Sequence, residues 1–361
     1  MAIQAQSQQY IGFSIGTGVT TPAYVLPAES YNHEESAVYN QLKATFGSRD
    51  NLYTNTKVGY DGLALTIKMK VDEVIFPVLL AAGMNSTVSG TTPNFINTLI
   101  PRNTVVSSGS LTREGHKLTF FVTDGDNGVI KYEGKILGEA SISVESETVY
   151  AEFTFDSGTK EVLSGTPLTT ALTAFATFKS DLVIALNALK TTLGREVNLD
   201  DYYNFARPSY CTVEYGDDYT FAASTISNAD FGFSFGFNNN LTGEPQTSSA
   251  PGTFINPTMF MGGFSSNFEY TVKTLGNDLM TRNEANTPTC FRFRIQRNAN
   301  RRFDFIFSPS SFVVTNNEKA GDSDDPVMQT VTQENANNTV VNPSLKILAN
   351  TSMSLAALYP N

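Results

Sequence analysis

Residues 62–74 and 267–279 share one layout. In the first, Leu63, Leu65, Ile67, Met69 and Val71 alternate with polar or small residues, and Asp72-Glu73 then leads to Val74. In the second, Phe268, Tyr270 and Val272 alternate in the same way, and Asn277-Asp278 leads to Leu279. A period of two sends every other side chain to the same face, so each run predicts a half-buried strand. Another alternating run follows each, Leu118 to Val122 and Phe291 to Ile295. Identity between the two stretches is low, so what repeats is the pattern. A duplicated antiparallel unit suggests a part built for symmetric assembly rather than a single-pocket catalyst.

At 361 residues the chain exceeds one small core, and its length points to roughly two domains. Charged residues make up 16% and hydrophobic residues 40%, which argues against disorder. The net charge of −11 argues against a protein that grips nucleic acid by neutralising phosphates. It leaves room for one that surrounds DNA without holding it. Residues 1–12 are polar and lack a signal-peptide core. The longest apolar run, Val74 to Met84, is short for a membrane span and contains Pro77, so helical membrane insertion is not expected. Cys211 and Cys290 are too few for a disulfide framework and are expected to be reduced core residues.

Residues 1–30, rich in Gly, Thr, Ser and Pro, read as an extended arm or loop, and 34–46, closed by Gly47, as a short helix. Strands are expected near 60–71, 117–123, 129–136, 139–147 and 149–156, with the Asp124-Gly125-Asp126-Asn127-Gly128 turn between the second and third. The period then changes. Leu168, Leu172, Phe175, Phe178, Leu182, Leu186, Leu189 and Leu193 recur every three or four positions. With Thr166-Pro167 as start and Gly194 as stop, they predict a helix packed along one barrel face as a connector. From Tyr210 the period of two returns, interrupted by polar loops at 238–253 and 316–326. The division expected is a first β domain over 1–165, a helical connector over 166–209 and a second β domain over 210–361.

Motifs that could carry chemistry fail on context. Gly12-Phe13-Ser14-Ile15-Gly16 and Gly232-Phe233-Ser234-Phe235-Gly236 both match G-x-S-x-G. A nucleophile elbow needs a helix after the serine and a downstream acid and histidine. Neither match precedes a helical pattern, and the two histidines, His33 and His116, both lie before Ser234. The 124–128 turn lacks the glycine at position six and the glutamate at twelve of a calcium loop, where Val129 and Lys135 stand. Asp322-Ser323-Asp324-Asp325 runs into Pro326 and reads as a solvated acidic loop. Two histidines and two scattered cysteines offer no zinc ligand set, and neither a Walker loop nor a dinucleotide fingerprint is present. No catalytic, cofactor or metal residues are therefore expected, and no enzyme activity.

The order of elements over 58–165 resembles the tail tube proteins of long-tailed, siphophage-like bacteriophages. The strand Leu63 to Val71 leads through Asp72-Glu73 into the apolar segment Val74 to Ala82, closed by Gly83. Thr91-Thr92-Pro93 follows, then the strand Lys117 to Val122, then Tyr132 to Leu137, Ala140 to Val144 and Val149 to Phe155. The segment after the first strand is a short helix in that family, and Pro77 suggests that it starts late or kinks here. Phe268, Phe291 to Ile295, Phe303 to Pro309 and a closing Leu345 to Leu358 resemble the same order more faintly.

The resemblance implies a mainly β chain with a few helices. It would hold two tandem tail-tube-like β-sandwich or barrel domains that assemble edge to edge into a ring-shaped β-barrel. Two fused units would need three chains for a pseudo-sixfold ring, stacked head to tail as the conduit for genome ejection. The implied location is the tail tube of the virion, after synthesis in the host cytoplasm. Implied partners are further copies of the chain, a tape measure protein, tail terminator and tail tip proteins, and double-stranded DNA passing through without specific binding. An acidic lining would let DNA slide, with Glu145, Glu147, Glu152 and Asp156 as candidates, although Lys68, Lys70, Arg292 and Arg294 also occupy polar strand faces. The alternatives are another virion protein, such as a decoration or baseplate component, and a soluble carbohydrate-binding or hydrolytic β protein.

Overall fold

A computed structural model describes residues 10–43, 53–102, 115–123, 128–145, 147–221, 225–227, 232–244, 258–273, 278–317, 328–336 and 343–359. The chain is mainly β. Its first part runs β1 (Ile11–Ile15), β2 (Tyr24–Leu26), β3 (Ala28–Lys43), β4 (Tyr53–Lys70), α1 (Ile75–Ala82), β5 (Met84–Thr91), β6 (Asn94–Pro101), β7 (Leu118–Thr123), β8 (Val129–Glu145), β9 (Thr148–Asp156) and β10 (Thr159–Val162). Two helices, α2 (Gly165–Leu193) and α3 (Leu199–Tyr203), follow. The rest runs β11 (Cys211–Gly216), β12 (Thr225–Ser227), β13 (Phe233–Asn238), β14 (Thr242–Glu244), β15 (Thr258–Phe260), β16 (Ser265–Lys273), α4 (Asp278–Glu284), β17 (Thr289–Asn298), β18 (Arg301–Asn317), β19 (Met328–Ala336), β20 (Leu345–Thr351) and α5 (Leu355–Leu358).

One antiparallel sheet of eight strands runs β3-β4-β9-β8-β13-β16-β19-β18. Long β8 and β18 each leave it at their N-terminal ends to join a second layer. There β2-β1-β7-β8-β10 pair in one group and β12-β11-β17-β18-β20-β6-β5 in another. Between the layers lie packed phenylalanines, with ring centroids 4.7 Å apart for Phe120–Phe155 and 5.2 Å for Phe268–Phe293. Such contacts add about 0.5–1.5 kcal/mol each beyond their buried area.

The two alternating runs noted in the sequence, β4 and β16, hold equivalent places. Each pairs with the strand before it in the sheet, leads into a short helix, and flanks a nine-residue strand, β9 or β19. In the same way β8 takes β7, β9 and β10 as partners, and β18 takes β17, β19 and β20. The β5–β6 hairpin, inserted after α1, crosses over to pair with β20. Asn97 on β6 secures that crossing by donating to Thr351 Oγ1 at 3.0 Å while its Oδ1 accepts from Leu355 N at 2.8 Å.

Helix α1 shows how local sequence sets an element. Pro77 is its third residue, within the turn where backbone N–H groups have no intrahelical acceptor, so the proline neither delays nor kinks it. The N–H groups of Val74, Ile75 and Phe76 donate instead to the Asp72 carboxyl, at 2.6, 2.6 and 3.2 Å. All eight residues of α1 are buried.

Several expectations need correction. Part of the supposed arm at 1–30 forms β1 and β2, and residues 34–43 belong to strand β3 rather than a helix. There the long hairpin ladder with β4 overrides helical propensity. The runs 129–136 and 139–147 are one strand, β8, with a register shift between Leu137 and Glu139. Residues 345–358 divide into β20 and α5, whose Ser354 cap accepts from Ala357 N at 3.3 Å. Most of 238–253 and 316–326, and residues 124–127, lie outside the described residues, although the short pair β14–β15 stands at the edge of the first loop.

Helix α2 is 29 residues long and starts at Gly165 after Ser164, earlier than Thr166-Pro167 suggested. Gly194 ends it in the left-handed conformation (φ +64°), its N–H bonded to Lys190 O at 2.9 Å. Only Ala171 and Phe175 are buried, against Val25, Phe121, Val129 and Leu163. The expected packing along a whole face therefore holds only for its first half, and Val183, Ile184 and Leu193 are exposed. By length and composition α2 is long and apolar enough to cross a membrane, although its apolar residues are spaced rather than consecutive.

Candidate functional site

The eight-stranded sheet has one face in the core and one outside. On β4, Leu65, Ile67 and Met69 are fully buried, which turns Thr66, Lys68 and Lys70 outward. Registers carry that parity across the sheet: Lys68 pairs Glu152, Glu152 pairs Ser141, and Ser143 pairs Ser234, which pairs Glu269. The outer face is thus a polar surface of Ser, Thr, Asn and charged side chains. Among the described residues it presents Glu34, Glu139, Glu145, Glu152 and Glu269 against Lys68 and Lys70. Lys68 Nζ lies 2.8 Å from both oxygens of Glu145, and Lys70 Nζ 3.7 Å from Glu29. The Lys68 ammonium is held above its usual range chiefly by the hydrogen bond to Glu145. Both lysines are therefore spoken for, and among the described side chains the surplus on the face is acidic.

Of the four acidic candidates, Glu145 and Glu152 stand on this face. Glu147 sits in the turn between β8 and β9. Asp156, at the end of β9, accepts from Ser157 N at 2.6 Å. Arg292 and Arg294 belong elsewhere, on the outward face of the second layer. Arg294 Nη1 lies 3.2 Å from Glu214 Oε1, and its Nε lies 2.6 Å from Asp304 Oδ1. Arg292 also contacts Glu214, stacks 4.3 Å from the Phe221 ring, and has its pKa pulled down to about 10, first by burial and then by Arg294. Their carboxylate partners came from separate strands, β11 and β18, and no local pattern announced them.

At the centre of the sheet, β13 pairs β8 antiparallel from Ser234↔Ser143 to Asn238↔Glu139. This junction joins the first four strands to the last four. Gly236 is required there, because a Cβ would stand 2.7 Å from Ala140 O. The second G-x-S-x-G match is thus a close strand crossing, with Ser234 exposed on the polar face. In the first match, the Ser14 hydroxyl donates to Thr21 O and accepts from Ala23 N, both at 2.8 Å, tying β1 to the turn before β2. Ser14→Ala should therefore lower stability by about 1–2 kcal/mol, whereas Ser234→Ala should stay within about 0.5 kcal/mol, as read by denaturant melts. A fluorophosphonate probe should label neither serine.

Both cysteines are free and buried, and burial pushes each thiol up to about 12. His33 packs in a tilted arrangement on Tyr132 and His116 on Tyr359, at 4.6 and 4.7 Å between centroids. Burial, and then Arg102, pulls His116 down to about 4. Among the described residues no three His, Cys, Asp or Glu side chains gather as metal ligands.

No protein-family model matches the sequence, and no curated protein matches it. Among solved structures, the chain is similar to one from an extracellular contractile injection system, a PVC sheath–tube complex in the extended state. That match has 8% identity and a TM-score of 0.26, and covers 44% of this chain and 90% of the other. It is also similar to a chain of the anti-feeding prophage cap, a tube-terminating cap, at 7% identity and a TM-score of 0.24, covering 46% and 95%. A likeness at those scores does not bear on function.

Proposed function

We propose that this chain is a structural, non-catalytic subunit of a tail tube, three copies forming a pseudo-sixfold ring and rings stacking head to tail as a conduit for a phage genome. One observation carries the reading: a single sheet whose second four strands repeat the pairings of the first four, with a polar face along all eight. Such a sheet already holds two like panels, and rotation of the same chain would supply the remainder of a closed wall. Its polar face would line the lumen. Duplex DNA carries about one charge per 1.7 Å of axis, so a lining of unpaired carboxylates and neutral hydroxyls offers little for phosphates to hold. The tandem division of the chain into two β domains with α2 and α3 between them belongs to the same proposal, as do a tape measure protein within the tube and terminator and tip proteins at its ends.

Purified protein should form rings or tubes in negative-stain micrographs, and mass measurement of one ring should give three chains. A sixfold ring of whole chains, or a monomer under every assembly condition, would overturn the reading. Replacing Glu139, Glu152 and Glu269 together by lysine should leave rings intact and make isolated tubes bind duplex DNA, with retention lost as salt rises.

A further inference from the structure

The junction between β8 and β13 has a counterpart that the described residues of a single chain leave open. Strand β3 stands to β4 as β13 stands to β16, and β18 stands to its three partners as β8 does to β7, β9 and β10. In the first half the edge of β8 is covered by β13 over five residue pairs. Among the described pairings, β3 has only β4, and the segment 311–317 of β18 has only β19. We propose that these two edges are partners: β3 of one copy adds antiparallel to residues 311–317 on β18 of a second copy, repeating the β13–β8 junction. The proposal rests on the ring reading above and names the contact that would close it.

Direction agrees. The sheet holds eight strands, each antiparallel to its neighbours, so the first and last point opposite ways. A rotated copy therefore presents β3 antiparallel to β18 without reversal, which is the condition for a closed ring of identical contacts.

Facing agrees as well. On β3, Tyr31 packs against the core while Asn32 and Glu34 are exposed on the polar face. On β18, Phe312 is buried and Val314 packs against the same core, while Thr315 is exposed. Pairing the edges continues both faces.

The β18 edge carries none of the usual protection, and the β3 edge only part of it. Exposed edge strands are normally short or blunted by charged side chains, lysine above all, by proline or by bulges. Strand β3 runs sixteen residues with no proline and a single lysine, at its last position, and its other charges are Glu29, Glu34 and Glu35. Residues 311–317, Ser-Phe-Val-Val-Thr-Asn-Asn, contain no charge and no proline. Apart from Glu29, the extra residues at register shifts along both edges lie on the partner strands β4 and β19. These are edges built to be covered.

The test uses cysteine pairs on the polar face of the full chain under mild oxidation. Asn32→Cys or Glu34→Cys is combined with Val313→Cys or Thr315→Cys, and Ser143→Cys with Ser234→Cys serves as the internal control across the known junction. The expected result is that at least one β3–β18 pair yields a covalent ladder ending at three chains, while each single variant stays a monomer on a denaturing gel. In unmodified protein, amide exchange at 28–38 and 311–317 should slow by more than about tenfold on assembly. Rings that form while no pair cross-links and neither segment gains protection would overturn this contact but leave the ring reading standing. Two-chain products from Asn32→Cys alone would overturn it in favour of a twofold β3–β3 contact. Protein that never forms rings, with the control pair closed, would overturn both.

Discussion

Glu214→Ala should lower the stability of the folded chain by roughly 3–5 kcal/mol, the usual penalty for removing one partner from a buried ion pair. Glu214 is only 4% exposed, on β11, and faces Arg292 and Arg294 on β17. Removing it leaves Arg292 without a carboxylate contact, on a guanidinium that burial already disfavours in its charged form. Arg294 keeps Asp304, so the damage centres on Arg292. Glu214→Leu combined with Arg292→Met should recover most of the loss, since an absent pair leaves no orphaned charge. Urea midpoints for the single and double variants measure this. A single variant within about 0.5 kcal/mol of the parent would mean that the pair contributes nothing net. With total stabilities of about 5–15 kcal/mol for ordinary domains, the single change should also deplete soluble protein at 37 °C.

Stability should fall as pH rises through the titration of Asp72. Burial pushes its carboxyl up to about 7, with neighbouring Glu73 adding to the effect, against three backbone N–H donors that favour the charged form. In the unfolded chain the same group titrates near 3.8. Between these values the folded state binds more protons than the unfolded state, so the slope of stability with pH is negative. The contribution is fully present below about pH 4 and lost above about 7, on the order of 4 kcal/mol at ~1.36 kcal/mol per pKa unit. His116 works the other way. Its folded value near 4 lies below the ordinary 6.5, so its contribution rises with pH across that interval. A comparison of Asp72→Asn with the parent cancels His116 and the general repulsion of an acidic protein. Denaturation from pH 4 to 8 should show the parent losing stability relative to Asp72→Asn, most steeply between 5 and 7. A difference that does not change with pH would show that the helix N-terminus holds Asp72 ionised throughout.

Alternation was the strongest guide to the fold. The period of two in β4, β8, β9, β16 and β17 can be read residue by residue, because one face of each is buried and the other is not. Helix α2 was legible for the mirror reason, a period between three and four, and its end was legible at Gly194, where φ is positive. Strand β3 was missed because its alternation is weak, and only the ladder with β4 makes it extended. That Ser14 and Ser234 lie inside strands, β1 and β13, rather than at a strand-to-helix turn was readable too, because no helical pattern follows either serine.

Tertiary structure alone decided the rest. That β5–β6 would reach across to β20, or that β13 would seat on β8, depends on which edges meet, and no single run of residues encodes an edge. The outward face of the second layer shows the same division. In one half Phe121 and Val129 lie beneath α2 beside a Lys131–Glu133 pair, whereas in the other it holds Glu214, Asp304 and three arginines. Sequence marked Arg292 and Arg294 as polar strand positions, but three strands had to come together before carboxylate and guanidinium were within bonding distance. By itself, then, the sequence determined a repeated, mainly β chain with alternating faces. Which edges are joined, which stay open and which charges are paired were set by long-range contacts, since strand pairing is a relation between distant segments that local propensity does not contain.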